Sequence, residues 1–297
     1  MSSARLPHTI PRRPHTSLGD VAQLDRTALV GRLFNLFRSE SYEPPLLPGQ
    51  ALELLELSRN PTTSAFRIAN LLETDAVLAA HVLRAARSPL YARAVPVRTL
   101  QEAIVTLGMR TVADIFFGVW SAARIFSAPG YEEPMAAVRR HVLATAHLTR
   151  LVCRHTDVDN DNAFLCGLFH DIGIALSLLT IAEGRRREEL PSPDAMLVAL
   201  RDAHAEIGGL FCWLWHLPPE LRVVVERHHA IGYGGDVLPV SAAVRIAENL
   251  AARHGAAIPG DAGDDIEEAI ARGTLGLSDE TMAAMEPEAA TIVAAID

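Results

Sequence analysis

Lysine is absent, and all 27 basic residues are arginine. That excludes Schiff-base chemistry and a lysine phosphate clamp, so any anion must be held by arginine, histidine, backbone or metal. Cysteine is nearly absent too. Cys153, Cys166 and Cys212 are too few to staple 297 residues and have no metal-ligand spacing, so a reducing, cytoplasmic compartment is expected. Alternating β-branched runs with hairpin turns are missing, which removes sheet-based folds. The apolar stretch Ile172 to Ala182 is too short to cross a bilayer, and nothing near Met1 joins a basic segment to an apolar run; neither secretion nor a membrane partner is expected. A surplus of positive charge is also lacking. The stretch from Asp261 to Asp297 sets ten carboxylates against Arg272 alone, which accounts for the whole net charge of −9 and leaves the rest neutral. Without a basic footprint, no nucleic acid is expected as a partner.

What is present is helical periodicity. Pro7, Pro11 and Pro14 with Arg12 and Arg13 mark residues 1–18 as a flexible arm. From Gly19 to Ser39, Val21, Leu24, Leu29, Leu33, Leu36 and Phe37 recur at helical spacings, so a helix with one apolar face is expected before the break at Pro44, Pro45 and Pro48. Between Gln50 and Ser127 short helices alternate with breaks at Asn60-Pro61, Ser88-Pro89 and Val95-Pro96, and Asp75 is placed to cap the run from Ala76 to Arg87. A second helical block runs from Glu132 to Gly255, with prolines at Pro193 and Pro218 near new helix starts and with Gly173 and Gly255 expected at helix ends. The acidic tail reads as two short helices, Ser278 capping one of them. The expected architecture is all-α and two-lobed, with an N-terminal lobe over 19–128, a second over 129–256, and a peripheral acidic tail over 257–297.

The chemistry gathers in the second block. His141, His170-Asp171, His204, His228-His229 and then Glu248 follow one another there. A metal phosphohydrolase needs neutral imidazoles to hold transition metals, a carboxylate able to bridge two ions, and open positions for water and phosphate oxygens. In FLCGLFHDIGI, Phe164, Leu165, Leu168 and Phe169 anchor a helix while His170 and Asp171 arrive at its end, where side chains can face a pocket.

These segments resemble the HDOD family, bacterial signalling relatives of the HD-domain phosphohydrolases. The resemblance runs from about Glu43 to Arg253 through PPLLPGQALELLEL, IANLLETDAVLAAHVLRAARSPLY and TLQEAIVTLGMRTVADI in the first half. In the second half it is carried by RRHVLATAHLTRLV, CGLFHDIGIAL, HAEIGGLFCWLWHLPPELRVVVERHH and AVRIAENLA. It implies an all-helical fold whose second lobe is HD-like. Set against the HD-GYP phosphodiesterases of cyclic di-GMP, His141, His170, Asp171, His204, His228 and His229 fall where those enzymes place metal ligands. Glu248 stands where they have aspartate, and its extra methylene either still reaches a metal or spoils the bridge. Ile174 replaces their phosphate-holding lysine, and Ala230-Ile231-Gly232-Tyr233-Gly234-Gly235 replaces a loop that ends Gly-Tyr-Pro.

Taken singly, each histidine reads as a helix cap or a carbonyl donor. As an ordered set they read equally as a metal-capable pocket, because several buried imidazoles and carboxylates otherwise carry a desolvation cost. His8, His15, His81, His147, His155, His216 and His254 read as structural or surface residues, Trp213, Trp215, Phe211 and Leu217 as core, and Arg185 to Arg187 with Glu188 and Glu189 as a solvated loop.

The resemblance thus implies a regulatory protein acting through contacts with signalling partners, with a metal-binding pocket of weak or absent catalysis. The alternative is a metal-dependent phosphohydrolase acting on a cyclic dinucleotide or another nucleotide. In it His141, His170, Asp171 and Glu248 hold a first divalent transition metal, iron or manganese ahead of zinc, and His204, His228 and His229 support a second.

Overall fold

The computed structural model describes residues 25–45, 47, 49–73, 75–88, 97–158, 162–183, 185–229, 238–259 and 265–296. The expected arm, His8, His15, Gly19, Pro48, the breaks at Pro89 and Pro96, and the loop from Ala230 to Gly235 lie outside them. Among the described residues there are fifteen α-helices, one short 3-10 turn over Arg187–Glu189, and no strand. The first six helices are α1 (Arg26–Phe37), α2 (Gly49–Arg59), α3 (Ala65–Leu72), α4 (Ala76–Ala86), α5 (Leu100–Leu107) and α6 (Met109–Arg124). The second block comprises α7 (Glu132–Arg154), α8 (Ala163–Phe169), α9 (Ile172–Ala182), α10 (Pro193–Leu200), α11 (His204–Leu214), α12 (Pro219–Arg227) and α13 (Pro239–Arg253). The tail folds as α14 (Asp265–Leu275) and α15 (Asp279–Ala294).

The caps follow from local chemistry. Asp75 accepts from the backbone N–H groups of Val77 and Leu78, Ser192 from Ala195 ahead of which Pro193 opens α10, and Ser278 from Thr281. Thr99 and Glu102 form a reciprocal capping box at α5. Gly108, at φ +82, separates α5 from α6 and lets the chain turn through 107°. Gly255, at φ +87, follows α13 as expected. Gly173 does not end a helix. It lies in the first turn of α9, where a Cβ would meet the backbone of His204 and Gly208 on α11, so its role is close helix contact.

The apolar run is longer than its composition suggested. α8 and α9 together form a largely apolar segment of 20 residues, Ala163–Ala182, nearly all buried inside the protein and broken at His170-Asp171. Around it the core is continuous across both blocks. Phe37 packs edge-on against Phe211 at 5.0 Å, Phe117 against Phe169 at 6.0 Å, and Trp120 against Trp215 at 5.7 Å. Trp213 is the exception to the expected core cluster, at 57% exposed, because it projects from the outer face of α11.

The tail is not peripheral, contrary to the expectation from its charge. Several of its carboxylates, Asp279 and Glu288 among them, face outward, but Ala271, Leu277, Met282, Met285, Ala289 and Val293 are buried against α7 and α13 in a second apolar cluster. Each large side chain of that kind contributes about 1.5–3 kcal/mol when fully buried, so the tail is an integral layer of the second lobe. Net charge reports the solvent face of a helix and says nothing of its apolar stripe.

Candidate metal centre

Three helix junctions and two helix interiors deliver the candidate ligands. His141 lies midway along α7 and Glu248 along α13, and these two helices pack along each other. His170 ends α8 and Asp171 precedes α9 with non-helical backbone (φ −102, ψ 14), so the chain kinks where the two side chains are needed. His204 opens α11, and His228 and His229 follow the last turn of α12. All but His229 are buried.

These seven residues, 107 positions apart from first to last, converge into two donor sets that share Asp171. One is His141, His170, Asp171 and Glu248; the other is Asp171, His204, His228 and His229. In each set the ligand atoms lie within 4.8 Å of one another. Asp171 Oδ2 is 3.3 Å from His170 Nε2 and 3.6 Å from His141 Nε2. Its Oδ1 is 3.0 Å from His204 Nε2 and 3.5 Å from His228 Nε2. The extra methylene of Glu248 does not carry it away, since its Oε1 is 3.4 Å from His170 Nε2.

The tautomers are set by the backbone. Nδ1–H of His141 donates to the Ala256 carbonyl (2.8 Å), that of His170 to Gly167 (2.7 Å), that of His204 to Leu200 (3.1 Å) and that of His228 to Val225 (2.8 Å). With Nδ1 committed, the Nε2 lone pairs of neutral rings point inward, and they meet at 3.2 Å between His141 and His170, 3.2 Å between His204 and His228, and 3.1 Å between His204 and His229. With neither a proton nor an ion between them such lone pairs repel, and Asp171 Oδ1 is buried without a well-aligned hydrogen bond. A divalent cation in each set would satisfy these atoms, so the residues present fit two metal ions, held by His141, His170, Asp171 and Glu248 on one side and by Asp171, His204, His228 and His229 on the other.

The charges agree with this. Burial and the adjacent His229 hold His228 down at about 3, leaving a neutral ligand. Burial works against charge on His170 as well, but Asp171 and Glu248 outweigh it and hold its pKa up at about 9. Burial pushes the two carboxyls up, yet the surrounding histidines win, holding Glu248 at about 2 and Asp171 well below the usual carboxylate range. The metal-free site thus carries a proton on His170 at neutral pH, which an incoming ion must displace. Below about pH 9, apparent metal affinity is expected to rise about tenfold per pH unit for that one proton. Calorimetric Mn²⁺ titrations at about pH 6.5, 7.5 and 8.5 check this; an affinity flat across that range would show that His170 is already neutral.

Two further residues belong to the site that sequence reading did not single out. Arg245, buried on α13, places NH1 3.3 Å from Glu248 Oε2 and Nε 3.1 Å from Glu267 Oε2. Glu267 comes from α14 and lies 4.0 Å from His229 Nδ1. The one available signal for Arg245 was a cation one turn before Glu248 in an alanine-rich helix; Glu267 had none. Of the histidines read as structural, His254 pairs with Glu286 at 2.6 Å and His81 lies against Arg84, both away from the centre.

A cavity of about 220 Å³ opens beside the second donor set, lined by Asp171, His204, His229, Ile174, Arg201 and Ile258 among others. Its walls are mainly apolar, and Ile174 occupies the place at which a lysine was missed.

The sequence profile of the HDOD domain matches residues 45–231. A candidate metal-dependent phosphohydrolase from Shewanella amazonensis SB2B superposes with a TM-score of 0.70 at 25% identity, over 92% of this chain and 99% of that one. An HDOD domain protein of unknown function from Geobacter sulfurreducens gives 0.69 at 22% identity, over 92% and 97%. A candidate signal transduction protein from Marinobacter aquaeolei VT8 gives 0.63 at 21%, over 93% and 66%. No curated protein sequence matches the chain. With well over half of its length matched by the profile and its helices superposing on such structures, the chain belongs to the HDOD family.

Proposed function

We propose that this HDOD protein is a regulator built on a two-ion metal centre that binds a phosphate ester and hydrolyses it slowly, passing the bound state on to a signalling protein partner. The observation that carries this reading is the convergence of five Nε2 atoms and two carboxylates on two sets that share Asp171. Bound divalent ions supply Lewis acidity and an acidified water at such a centre. The chain's own part is to hold the imidazoles in one tautomer, to keep the carboxylates ionised and to shape the cavity beside His204 and His229. The likeness to the Shewanella amazonensis protein supports the hydrolytic half, and the likeness to the Marinobacter aquaeolei protein accords with the regulatory half.

Hydrolysis is slow in this reading because Ile174 offers no charge to a transferring phosphoryl group, where an aimed cation is worth a substantial part of the barrier. Arg201, exposed at the C-terminal end of α10, is a cation on the cavity wall, which Asp194 also lines. Its guanidinium is suited to phosphate oxygens, so Arg201→Ala is expected to weaken binding of inorganic phosphate to Mn²⁺-loaded protein about tenfold, read by calorimetry. Unchanged affinity would remove Arg201 from the ligand site.

The test of the whole reading pairs metal analysis of protein purified without chelator with turnover assays on cyclic di-GMP, a mononucleotide and a generic phosphodiester. Two ions per chain and turnover well below about 1 s⁻¹ are expected, both lost in Asp171→Ala. Protein that takes up no divalent metal would sink the proposal. Fast turnover would make the protein an enzyme first and a regulator second.

A further inference from the structure

Of the five inward-facing imidazoles, four are fixed by a backbone carbonyl on Nδ1 and one is not. His229 has Glu267 instead, with the carboxylate 4.0 Å from its Nδ1. His229 is also the least enclosed of the set, its side chain 36% exposed against 5% or less for the other four. It is therefore the ligand with the most freedom to turn away. Metal-bound histidines are generally oriented by a partner on the second ring nitrogen, and losing that partner weakens metal binding by about 10–100-fold.

Glu267 reaches the other donor set as well. Its Oε2 lies 3.1 Å from Nε of the buried Arg245, and NH1 of that same guanidinium is 3.3 Å from Glu248 Oε2. One carboxylate from the tail thus faces a histidine of the second set directly and a carboxylate of the first through an arginine. α14 is held in place for this by its packing on α13, while Glu268 accepts from Asn249 at 2.8 Å and pairs with Arg253 at 3.2 Å. Glu268 is the adjacent carboxylate on the same helix, yet its partners lie outside both donor sets. That difference gives an internal control.

We propose that Glu267 is a positioning residue of the metal centre, by which the C-terminal tail orients His229 and completes the second ion site. The inference rests on the two-ion reading above. Its consequence is that the tail belongs to the site although its sequence shows no ligand motif, and that ion uptake at the His229 side is sensitive to how α14 is seated.

The experiment uses the full chain loaded with Mn²⁺, read by metal content, by calorimetry and by electron paramagnetic resonance, which separates a spin-coupled ion pair from an isolated ion. Wild type and Glu268→Gln are expected to bind two ions and give the coupled signal. Glu267→Gln, nearly isosteric, is expected to keep one tight ion, weaken the second at least tenfold, and show an isolated-ion spectrum, with the metal-free melting temperature close to that of Glu268→Gln. His229→Gln is expected to give the same spectrum, since Glu267 acts through that ring, and it serves as the second variant if Glu267→Gln folds poorly. Two ions with wild-type affinity in Glu267→Gln, or a coupled pair surviving in His229→Gln, would overturn the inference while leaving the two-ion centre intact. Loss of both ions together with a large drop in the metal-free melting temperature would make Glu267 a structural residue and overturn it equally. A wild type that binds no metal would instead defeat the two-ion reading itself, and this inference with it.

Discussion

Asp171→Ala is expected to abolish binding of both ions at once, whereas loss of any single histidine removes one donor from one set. The reason is geometric: Asp171 is the only residue common to the two sets, with Oδ2 facing His141 and His170 and Oδ1 facing His204 and His228. Metal content is expected to fall from two ions per chain to a small fraction of one. The metal-free protein is expected to suffer too, because His170 loses the carboxylate that keeps it protonated inside the core. Breaking a buried charge pair costs on the order of 3–5 kcal/mol, and the figure here falls toward the lower end because His170 can shed its proton. The sign with pH follows. A histidine whose folded pKa is raised to about 9 contributes stability that is full below its ordinary value of 6.5 and disappears as pH rises through about 9. The gap in stability between wild type and Asp171→Ala, measured by urea unfolding with chelator present, should therefore be wider at about pH 6 than at about pH 9.5. A gap that widens with pH, or an Asp171→Ala protein that retains both ions, would show that the carboxylate is not the shared element.

Among the described glycines, Gly173→Ala is expected to have the largest effect. A Cβ at that position would run into the His204 carbonyl oxygen and would lie 2.8 Å from the Gly208 nitrogen, both backbone atoms of α11. Backbone cannot swing aside as a flexible side chain can, so α9 and α11 must separate. Overpacking of this sort usually costs about 1–3 kcal/mol, and with rigid atoms on both sides the upper end applies. The functional loss is expected to exceed the loss of stability, because the displaced turn carries His204 and sits beside Asp171. Misplacement on the order of 1 Å is enough to disable a site of fixed geometry. Gly31→Ala in α1, where a Cβ meets nothing within 4 Å, is the control and is expected to stabilise by up to about 1 kcal/mol. Urea midpoints and Mn²⁺ stoichiometry for the two variants check the contrast. A Gly173→Ala protein with wild-type midpoint and full metal content would mean that the two helices have slack at their crossing.

By itself the sequence determined whatever depends on neighbours within a turn or two. Asp75, Ser192 and Ser278 are caps because a short acceptor before an apolar run satisfies exposed N–H groups locally. The helical class followed from periodicity, and the candidate ligands from the order of His141, His170-Asp171, His204, His228-His229 and Glu248, read with a family likeness. Where only local composition was consulted, the reading erred. Gly173 was expected to end a helix because nothing along the chain reports that α11 presses on it, and the acidic tail was expected at the periphery because its charges conceal the stripe from Ala271 to Val293.

Only the tertiary structure decided which of those residues meet. The packing of α7 along α13 brings His141 and Glu248 into one set, and the kink between α8 and α9 aims both oxygens of Asp171 in different directions. Whether Glu248 reaches or overshoots depends on Arg245 and on where α13 sits, and residue type alone is silent on both. The partnership of Glu267 with His229 joins residues 38 positions apart across a helix boundary, through a carboxylate indistinguishable in sequence from its neighbour Glu268. Side chains that touch across elements leave no periodic trace along the chain, because the contact is set by the relative placement of whole helices, and that placement is fixed by the summed packing of the core rather than by any segment in it.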